Sequence, residues 1–395
     1  MLKSIEQQKQ YNKIILVPYV TLLASIIYYI YNFDFDGAVT SFLPAVVVWG
    51  ITAILGLALL YLNRVESFPL IMTGALYVIY NLFMILLLDK GSLVSIAINC
   101  VYCVLWLSLI IVFFVHSKES GVVKEYSWLS FIALFFSAII FIGQVNTTQT
   151  ESSIKTLNPI FYILYFTPFV LLEKNKVLKY LQIVIIFACI ILSYKRTALI
   201  AFIIILLYVA YRIGKDEEKS TKESLKNVLL FVLIIAVLLF IYNFILSRYS
   251  NINWLERLGA LSEDGGSGRT DRWNEFFDDM QNSSFIQVVF GHGVVYPYYH
   301  NDLMQVIYNN GLIGCVLYVA LCVYLIVLLF RMSKSNYKYT TAYGASLIIF
   351  FFNSAVGQVI VLHTWFLQMA VFWGIVLGDY YSFTKEKGKM LNEKN

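Results

Sequence analysis

Two arginines follow a glycine-rich run, in an arrangement that suits the binding of a phosphate group. Arg269 and Arg272 lie three residues apart, directly after the run 265–268, which contains three glycines. Glycines let a backbone come close to a ligand, and a helix beginning near Thr270 would direct its electropositive N-terminus to the same place. The planar guanidinium group can hold two phosphate oxygens at once. The pattern predicts an anion site, though not a nucleotide P-loop, because GxxxxGK[ST] is absent.

A histidine further along the chain could supply acid–base chemistry. His300 lies in the tyrosine-rich run 296–302, directly before a long apolar segment. Near neutral pH an imidazole can take a proton from a hydroxyl. The tyrosines, Tyr299 among them, could stack on sugar rings, or they could belong to the aromatic belt of a membrane interface. Of the other histidines, His116 is predicted to lie at the cytoplasmic surface and His292, between two glycines, in a turn.

A second basic pair stands between two apolar segments. Lys195 and Arg196 follow Ser193 and Tyr194, where one apolar run ends and the next begins. A tight hairpin at this point would leave Arg196 at the very start of a helix, near the outer membrane interface. Two interpretations stay open here: the pair binds a substrate anion, or it only extends from a helix end to reach water.

An amphipathic pattern follows Arg269. Trp273, Phe276, Phe277 and Met280 occur at i, i+3, i+4 and i+7, which is one face of a helix. The opposite face carries polar side chains. Such a pattern is typical of a helix that lies on a membrane surface, although a helix packed on its own protein has the same stripe.

The elements that must position these residues are those of a helical membrane protein. The chain of 395 residues is 59% hydrophobic and only 13% charged, against about 25% charged residues in an average soluble domain. Apolar runs of roughly 17–25 residues recur along it, so we predict an all-α polytopic membrane protein of about twelve transmembrane helices. The sixth span contains Pro159 and Pro168 and is predicted to be tilted or broken. The candidate spans are 14–31, 40–62, 68–88, 92–115, 127–145, 158–172, 177–193, 196–213, 227–246, 304–330, 339–356 and 362–381.

The distribution of lysine and arginine predicts the orientation of these spans. Of the 29 basic residues, 21 fall on one side of the predicted membrane and 8 on the other, and the richer side is the cytoplasmic one. Both termini are then cytoplasmic. The predicted division is nine helices in 1–246, an extracytoplasmic catalytic loop with an interfacial helix in 247–303, three helices in 304–381 and a cytoplasmic tail in 382–395.

Other catalytic and metal-binding patterns are missing from the sequence. The predicted outer side has no DxD, no HExxH and no cysteine cluster, so neither a metal ion nor another cofactor is expected. All five cysteines fall in apolar segments, so no disulfide is expected. The carboxylates that follow Arg269 are spaced along one helix, and Asp302 stands alone. Neither a Ser-His-Asp triad nor a carboxylate pair suited to glycoside hydrolysis is evident.

Several of these residues together resemble the O-antigen polymerase and ligase superfamily, which contains Wzy-type polysaccharide polymerases and lipopolysaccharide O-antigen ligases. The order, the spacing and the topology of the motifs are similar. The stretch Ser193-Tyr194-Lys195-Arg196 resembles a Ser-x-Ser-Arg motif of this family, with Lys195 in place of the second serine. The other matching elements are Ser267-Gly268-Arg269 with Trp273, Phe290-Gly291-His292-Gly293, His300-Asn301 and Gly311-Leu312-Ile313-Gly314.

The resemblance implies a fold and an activity. The implied fold is a bundle of the kind found in type C membrane glycosyltransferases, with one large extracytoplasmic loop. The implied activity is metal-independent sugar transfer from an undecaprenyl-pyrophosphate-linked glycan, on the outer face of the bacterial cytoplasmic membrane. The growing glycan would pass to a hydroxyl of a new lipid-linked repeat unit, with inversion at the anomeric carbon.

The implied mechanism assigns roles to individual residues. Arg196 and Arg269 are expected to stabilise the departing pyrophosphate, and His300 is expected to orient or deprotonate the acceptor hydroxyl. Further contacts to the pyrophosphate or to sugars are expected from Lys195, Arg272, Trp273, Tyr299 and Asn301.

Other functions stay open at this stage. A ligase for O-antigen or another polysaccharide would use the same donor with a different acceptor. A polysaccharide transporter or flippase is a weaker alternative, because charged residues avoid mid-span positions and no internal repeat is evident. A structural anchor would leave Arg269 and His300 without a role. A capsule polymerase is favoured because lysine outnumbers arginine 21 to 8, a composition common in AT-rich genomes such as those of Gram-positive bacteria. The expected partners are the lipid bilayer, a chain-length regulator and a flippase, and no nucleic acid.

Overall fold

The fold is a bundle of helices, seen here in a computed structural model of the chain. The structure describes residues 2–32, 43–62, 69–88, 91–120, 123–148, 158–216, 269–293, 299–357, 359 and 363–392. Over these residues the chain forms fourteen helices and no strand, which confirms the all-α prediction. The helices are α1 (Leu2–Tyr31), α2 (Leu43–Tyr61), α3 (Pro69–Leu88), α4 (Leu93–Ser120), α5 (Val123–Thr148), α6 (Ile160–Leu164), α7 (Thr167–Val170), α8 (Lys176–Leu192), α9 (Arg196–Asp216), α10 (Arg269–Gln281), α11 (Phe285–Phe290), α12 (Asp302–Lys334), α13 (Thr340–Val356) and α14 (His363–Asn392).

Five of these helices are long and apolar enough to cross a membrane. They contain the segments Pro44–Tyr61, Pro69–Leu88, Ile96–Lys118, Glu125–Val145 and Asp302–Lys334. Shorter apolar helical segments are Leu16–Tyr31, Ile160–Val170 and Thr340–Val356. The number of twelve spans and the large loop stay predictions, and the predicted ninth span at 227–246 lies outside the described residues.

Helix α4 forms the centre of the bundle. Every residue from Leu105 to Ser117 is buried, and α4 packs against α2, α3 and α14. A helix that is apolar on all sides has no face for water, so neighbours must cover it all round. His116 lies within this buried stretch, 1% exposed, and its Nδ1 is hydrogen-bonded to the hydroxyl of Tyr126. The prediction of a surface position for His116 is therefore wrong, because a helix packed from all sides buries it.

The sixth predicted span is broken, as its prolines indicate. Two short helices, α6 and α7, replace one long helix between Pro159 and Val170. Pro168 lies in the first turn of α7, where a missing N–H removes no helical hydrogen bond. The hydroxyl of Thr167 donates to the Leu164 carbonyl at 2.7 Å and so occupies a group left by the break. Both helices are buried almost completely, as backbone irregularity in a membrane protein requires.

Several helix ends meet at one end of the bundle, named here the site end. It comprises the end of α3 at Leu88, the hairpin 193–195 between α8 and α9, the start of α10, the start of α12 and the end of α13. Gly293 packs closely against Leu88. A Cβ added at Gly293 would lie only 2.7 Å from the Leu88 Cβ, so this contact leaves no room for a side chain. The amide Nδ2 of Asn301, just before α12, donates to the carbonyl of Ala355 near the end of α13 at 3.0 Å.

Candidate functional site

The predicted hairpin at the site end is present. Ser193, which is fully buried, donates its hydroxyl to the Ile190 carbonyl at 2.6 Å and accepts the Lys195 N–H at 3.1 Å. Tyr194 takes a left-handed backbone conformation with φ 53°, which reverses the chain within a few residues. Arg196 is then the first residue of α9.

The electrostatics at the start of α9 suit an anion. The first turn contains no acidic residue, and Lys195 and Arg196 add two positive charges where the helix dipole is already positive. Cations at a helix N-terminus oppose the dipole, so this choice disfavours helix stability and favours a negatively charged ligand. The Lys195 Nζ donates to Asn158 Oδ1 at 2.7 Å and lies 5.8 Å from the centre of the Phe161 ring, so the side chain is held in place.

The start of α10 also carries basic side chains, but its first turn contains the acidic residue Asp271. Arg269 is the first residue of the helix and is partly buried, and Arg272 lies one turn later and is exposed. Arg272 Nη1 forms a salt bridge with Glu275 Oε2 at 2.7 Å. At an exposed site such an i,i+3 pair contributes little to stability. The glycine-rich run 265–268 lies outside the described residues.

Tyr299 fastens α10 to the start of α12. Its ring meets Phe276 at 5.2 Å and Tyr308 at 5.2 Å between centroids, both edge-on. Its hydroxyl donates to Asp279 Oδ2 at 2.7 Å. Burial raises the pKa of Tyr299, and the neighbouring Asp279 carboxylate raises it further, so the phenol stays a neutral donor. Tyr299 has no exposed surface, so these contacts give it a structural role, and its predicted contact to the substrate stays a prediction.

The amphipathic stripe of α10 is divided between two surroundings. Phe276 is 6% exposed and packs inward, whereas Phe277 is 53% exposed. Trp273 is partly buried, and its indole N–H makes no hydrogen bond within the described part of the chain. The helix therefore packs on its own protein through one residue of the stripe. Further large apolar side chains are exposed on the following helix α11, at Phe285, Ile286 and Phe290.

His300 is the residue at which both basic stretches converge. It has a left-handed backbone with φ 53°, between buried Tyr299 and the helix cap Asn301, and its side chain keeps access to solvent. Partial desolvation by the surrounding protein lowers the pKa of His300, and the positive charges of Arg269, Arg272 and Lys195 lower it further. The structure thus brings together residues that lie more than 70 positions apart in the sequence. Arg196 adjoins Lys195 at the same end of the bundle.

Asn301 holds the start of α12. Its Oδ1 accepts the backbone N–H of Met304 at 3.1 Å, which is the usual contact of a helix N-cap. Its Nδ2 donates to the Ala355 carbonyl. These contacts give Asn301 a structural role, and its predicted contact to the substrate stays a prediction.

A break in α12 explains the glycine-rich turn at 290–293. Gly311 has φ 64° and ψ −169°, so two helical segments meet there at a kink. A kink leaves carbonyl groups without their helical partners. The N–H of His292 donates to the Tyr308 carbonyl at 2.9 Å, and the N–H of Gly293 donates to the Asn309 carbonyl at 2.9 Å. The turn predicted around His292 therefore completes the hydrogen bonding of a broken helix.

Tyr80 on α3 also hydrogen-bonds carbonyl groups near the break in α12. Its hydroxyl contacts the Asn310 carbonyl at 2.9 Å and the Phe290 carbonyl at 3.1 Å. The imidazole of His292 stacks on the Tyr308 ring, with centroids 4.1 Å apart and planes 7° from parallel. His292 Nε2 is 2.9 Å from the Ser283 hydroxyl, which connects the turn to the end of α10. These contacts give His292 a structural role.

Asp302 is the residue that sequence reasoning missed. It was expected to stand alone, but it is fully buried and accepts a hydrogen bond from the Ser354 hydroxyl at 2.5 Å. Polar residues at 302, 305 and 309 lie at i, i+3 and i+7, one face of a helix inside an otherwise apolar segment. This periodicity is the signal that could have found it. In the described ranges, no group of three or more His, Cys, Asp or Glu residues converges into a metal site.

The fold and the site together define a multi-pass helical membrane protein with a cationic, histidine-containing cluster at one end of its bundle. Residues 181–319, about a third of the chain, match the family model described as O-antigen ligase. This match supports the O-antigen polymerase and ligase superfamily and confirms the resemblance found in the sequence. It supports a ligase or polymerase type of function. Among curated proteins, none matches the chain.

Proposed function

We propose that the protein polymerises oligosaccharide repeat units linked to undecaprenyl pyrophosphate, on the outer face of the bacterial cytoplasmic membrane. The observation that carries the proposal is that exposed His300 lies near enough to Arg269, Arg272 and Lys195, at the starts of α10 and α9, for their positive charges to act on it. A cluster of fixed cations suits a diphosphate, and an accessible imidazole suits a hydroxyl. Both reacting groups of a lipid-linked glycan transfer are thereby matched at one place.

The reaction is a single displacement at the anomeric carbon. The acceptor hydroxyl oxygen forms a bond to that carbon while the bond from the carbon to the diphosphate oxygen breaks, and the electron pair leaves with undecaprenyl pyrophosphate. The proton of the hydroxyl passes to His300. The lowered pKa of His300 keeps its ring neutral, and a neutral ring is the form that can accept a proton. Attack opposite the leaving group inverts the anomeric configuration.

The cations stabilise the charge that grows on the leaving group. A unit charge about 5 Å from a guanidinium gains about 3 kcal/mol at an effective dielectric of about 20. Two such cations supply several kcal/mol, enough for at least a hundredfold change in rate. Arg269 and Arg196 take the main role in this proposal, and Lys195 and Arg272 assist.

The proposal is tested with Arg269→Ala and His300→Ala in the purified full-length protein. Lipid-linked repeat units are supplied, and the ladder of products is measured over time. Each variant is expected to lower the rate by about a hundredfold or more, because each removes a group that acts on the transition state. Arg331→Ala is the matched control, since Arg331 is an exposed arginine at the other end of α12, and it should retain the normal rate. Normal ladders from both test variants would contradict the proposal.

A ligase is the second candidate, because the matching family model is described as O-antigen ligase. The two activities differ only in the acceptor. Purified protein mixed with lipid-linked repeat units alone should lengthen them if it is a polymerase. A requirement for a separate acceptor molecule would instead establish a ligase.

A further inference from the structure

A cavity with both polar and apolar lining lies inside the bundle, next to the start of α12. It has a volume of about 110 Å³ and lies between α3, α4 and α12, with α14 closing one side. It begins at Asp302, two residues after His300. Its polar lining consists of Asn81, Asn99, Asp302, Gln305, Asn309 and Asn310.

Hydrogen bonds fix the polar lining in place. Asn310 Nδ2 donates to Asn81 Oδ1 at 2.7 Å, and Gln305 Nε2 donates to Asn309 Oδ1 at 3.0 Å. Gln305 Oε1 also accepts the N–H of Tyr299 at 3.2 Å, which ties the cavity to the site. Among the described residues no partner engages the Asn309 amide nitrogen, so it remains able to donate to a ligand. Side chains that are already held in place lose little conformational entropy when they bind a ligand.

The rest of the lining is mostly apolar, and half of it is aromatic. Tyr77, Tyr102, Trp106 and Phe366 line the cavity, and the rings of Trp106 and Phe366 lie 5.2 Å apart. Flat aromatic surfaces beside planar amide and carboxylate groups match a sugar ring, which has apolar C–H faces and a rim of hydroxyls. A carboxylate accepts hydrogen bonds from hydroxyls, and an amide both donates and accepts.

Charge and volume define the ligand further. Among the described residues the lining contains Asp302 and no lysine, arginine or histidine, so a phosphate or an acidic sugar is disfavoured by repulsion and desolvation. With a volume of about 110 Å³ the cavity has room for a single ring.

We propose that this cavity binds one neutral sugar ring of the lipid-linked glycan, hydrogen-bonded by the partly exposed amides of Asn81, Asn99 and Asn309. The proposal rests on the proposed function, because it assumes a glycan substrate whose diphosphate lies at the cation cluster. The two sites divide the substrate by charge: cations hold the diphosphate, and the amides, next to the buried carboxylate of Asp302, hold the sugar.

The test compares two lipids on the same full-length protein. One is undecaprenyl pyrophosphate without sugar, and the other is the lipid-linked repeat unit extracted from the organism that makes the protein. Asn309→Leu removes a partly exposed amide of α12, and Asn99→Leu removes one of α4. Both should weaken binding of the sugar-bearing lipid roughly tenfold, the effect of one lost buried hydrogen bond, and should leave the sugar-free lipid unaffected. Arg269→Ala should weaken both lipids.

The controls separate this proposal from the proposed function. Asn32→Leu changes an exposed amide at the end of α1 and should bind both lipids normally. Thermal unfolding shows which variants fold, and if Asn309→Leu does not, Asn99→Leu decides alone. Normal binding of the sugar-bearing lipid by the cavity variants, or equal weakening of both lipids, would overturn the sugar site. Selective loss in these variants, with no glycosidic bond formed by the wild-type protein, would contradict only the transfer activity.

Discussion

His300 acquires its chemical character from three neighbouring cations and from its own backbone. The left-handed conformation at φ 53° is uncommon outside glycine and stores a modest strain. With this backbone the His300 side chain stays exposed, although its neighbour Tyr299 is buried and its other neighbour, Asn301, caps α12. This conformation joins the buried Tyr299 to the helix cap while it leaves the imidazole exposed.

The acidic limb of the pH profile should respond to the charge of Arg272. The positive charge of Arg272 lowers the pKa of His300, so Arg272→Gln should raise it toward its ordinary value. Because the neutral ring accepts the proton, kcat/KM falls as pH drops through this pKa. The falling limb of the variant should therefore lie at higher pH than that of the wild-type protein. The measurement is kcat/KM for lipid-linked repeat units between pH 4 and 8 (roughly the range over which an imidazole titrates).

The matched control is Arg331→Gln, at the far end of α12, which should leave the limb in place. Arg272 is paired with Glu275 and exposed, so solvent screens part of its charge and the displacement should be small. A limb that moves to lower pH in Arg272→Gln would contradict the assignment of His300 as the base.

Individual site residues were predictable where the chemistry is local. Arg269, Arg272 and Lys195 stand in patterns that combine a helix start with basic side chains, and the structure brings them to His300. Asp302 was not predicted, because its hydrogen-bond partner lies on another helix. Ser354 is 52 positions away in the sequence, and no local pattern reveals that pairing.

At the scale of elements, the decisive feature is the break in α12. The segment before Gly311 carries Asp302, Gln305 and Asn309, and the segment after it forms most of the apolar helix. The carbonyls freed at the break are bonded by backbone N–H groups of the turn 290–293. Helix α10, the turn and the first segment of α12 therefore form one hydrogen-bonded unit. This unit carries Arg269 and His300 together.

Gly311→Ala should destabilise this unit. The position has φ 64°, which disfavours any side chain, and an added Cβ would lie 2.3 Å from the Val289 carbonyl oxygen. The free energy of unfolding should fall by about 1–3 kcal/mol, read from thermal or denaturant unfolding in detergent. The rate of glycan transfer should also fall, even at temperatures where the variant is folded. The reason is that the displaced carbonyls belong to the first segment of α12, which directly follows His300.

Gly143→Ala is the control for this substitution. Gly143 lies in α5, and nothing is within 4 Å of the position that its Cβ would take. Alanine in a helix is favoured over glycine by roughly 1 kcal/mol, so stability should stay equal or rise. Equal stability in both variants would show that the break at Gly311 is not required.

The elements were partly predictable from the sequence. The hairpin at 193–195 and the broken segment around Pro159 and Pro168 followed from basic residues and prolines at apolar boundaries. The break at Gly311 did not, because Gly311 and Gly314 inside an apolar run are equally typical of close helix packing. Only the contacts from 290–293 distinguish the two, and these come from outside the helix.

At the scale of the whole molecule, the bundle separates apolar bulk from polar chemistry. Helix α4 is buried from Leu105 to Ser117. The described polar residues of the site lie elsewhere, at the end of α3 and at the starts of α10 and α12. The helical class and most helix bounds were predictable, because an apolar run of about 20 residues indicates a membrane-spanning helix. The total number of spans stays a prediction, since 217–268 lies outside the described residues.

The orientation is tested with single cysteines in a background without the five native ones. Asp278→Cys lies on α10 at the site end, and Lys334→Cys lies at the far end of α12; both positions are exposed. A maleimide that cannot cross membranes should label intact cells at position 278 and spare position 334. Labelling at 334 alone would reverse the orientation predicted from the basic residues and place the site on the cytoplasmic side. Labelling of both positions in opened cells is the control for accessibility.

The kink at Gly311 also decides how the protein meets bilayers of different thickness. The 23 residues from 312 to 334 form a helix about 34 Å long, slightly more than the roughly 30 Å hydrocarbon layer. A helix of that length tilts to match its surroundings. Because the kink separates this part from 302–310, we expect the tilt to change with lipid composition while His300 keeps its position in the site.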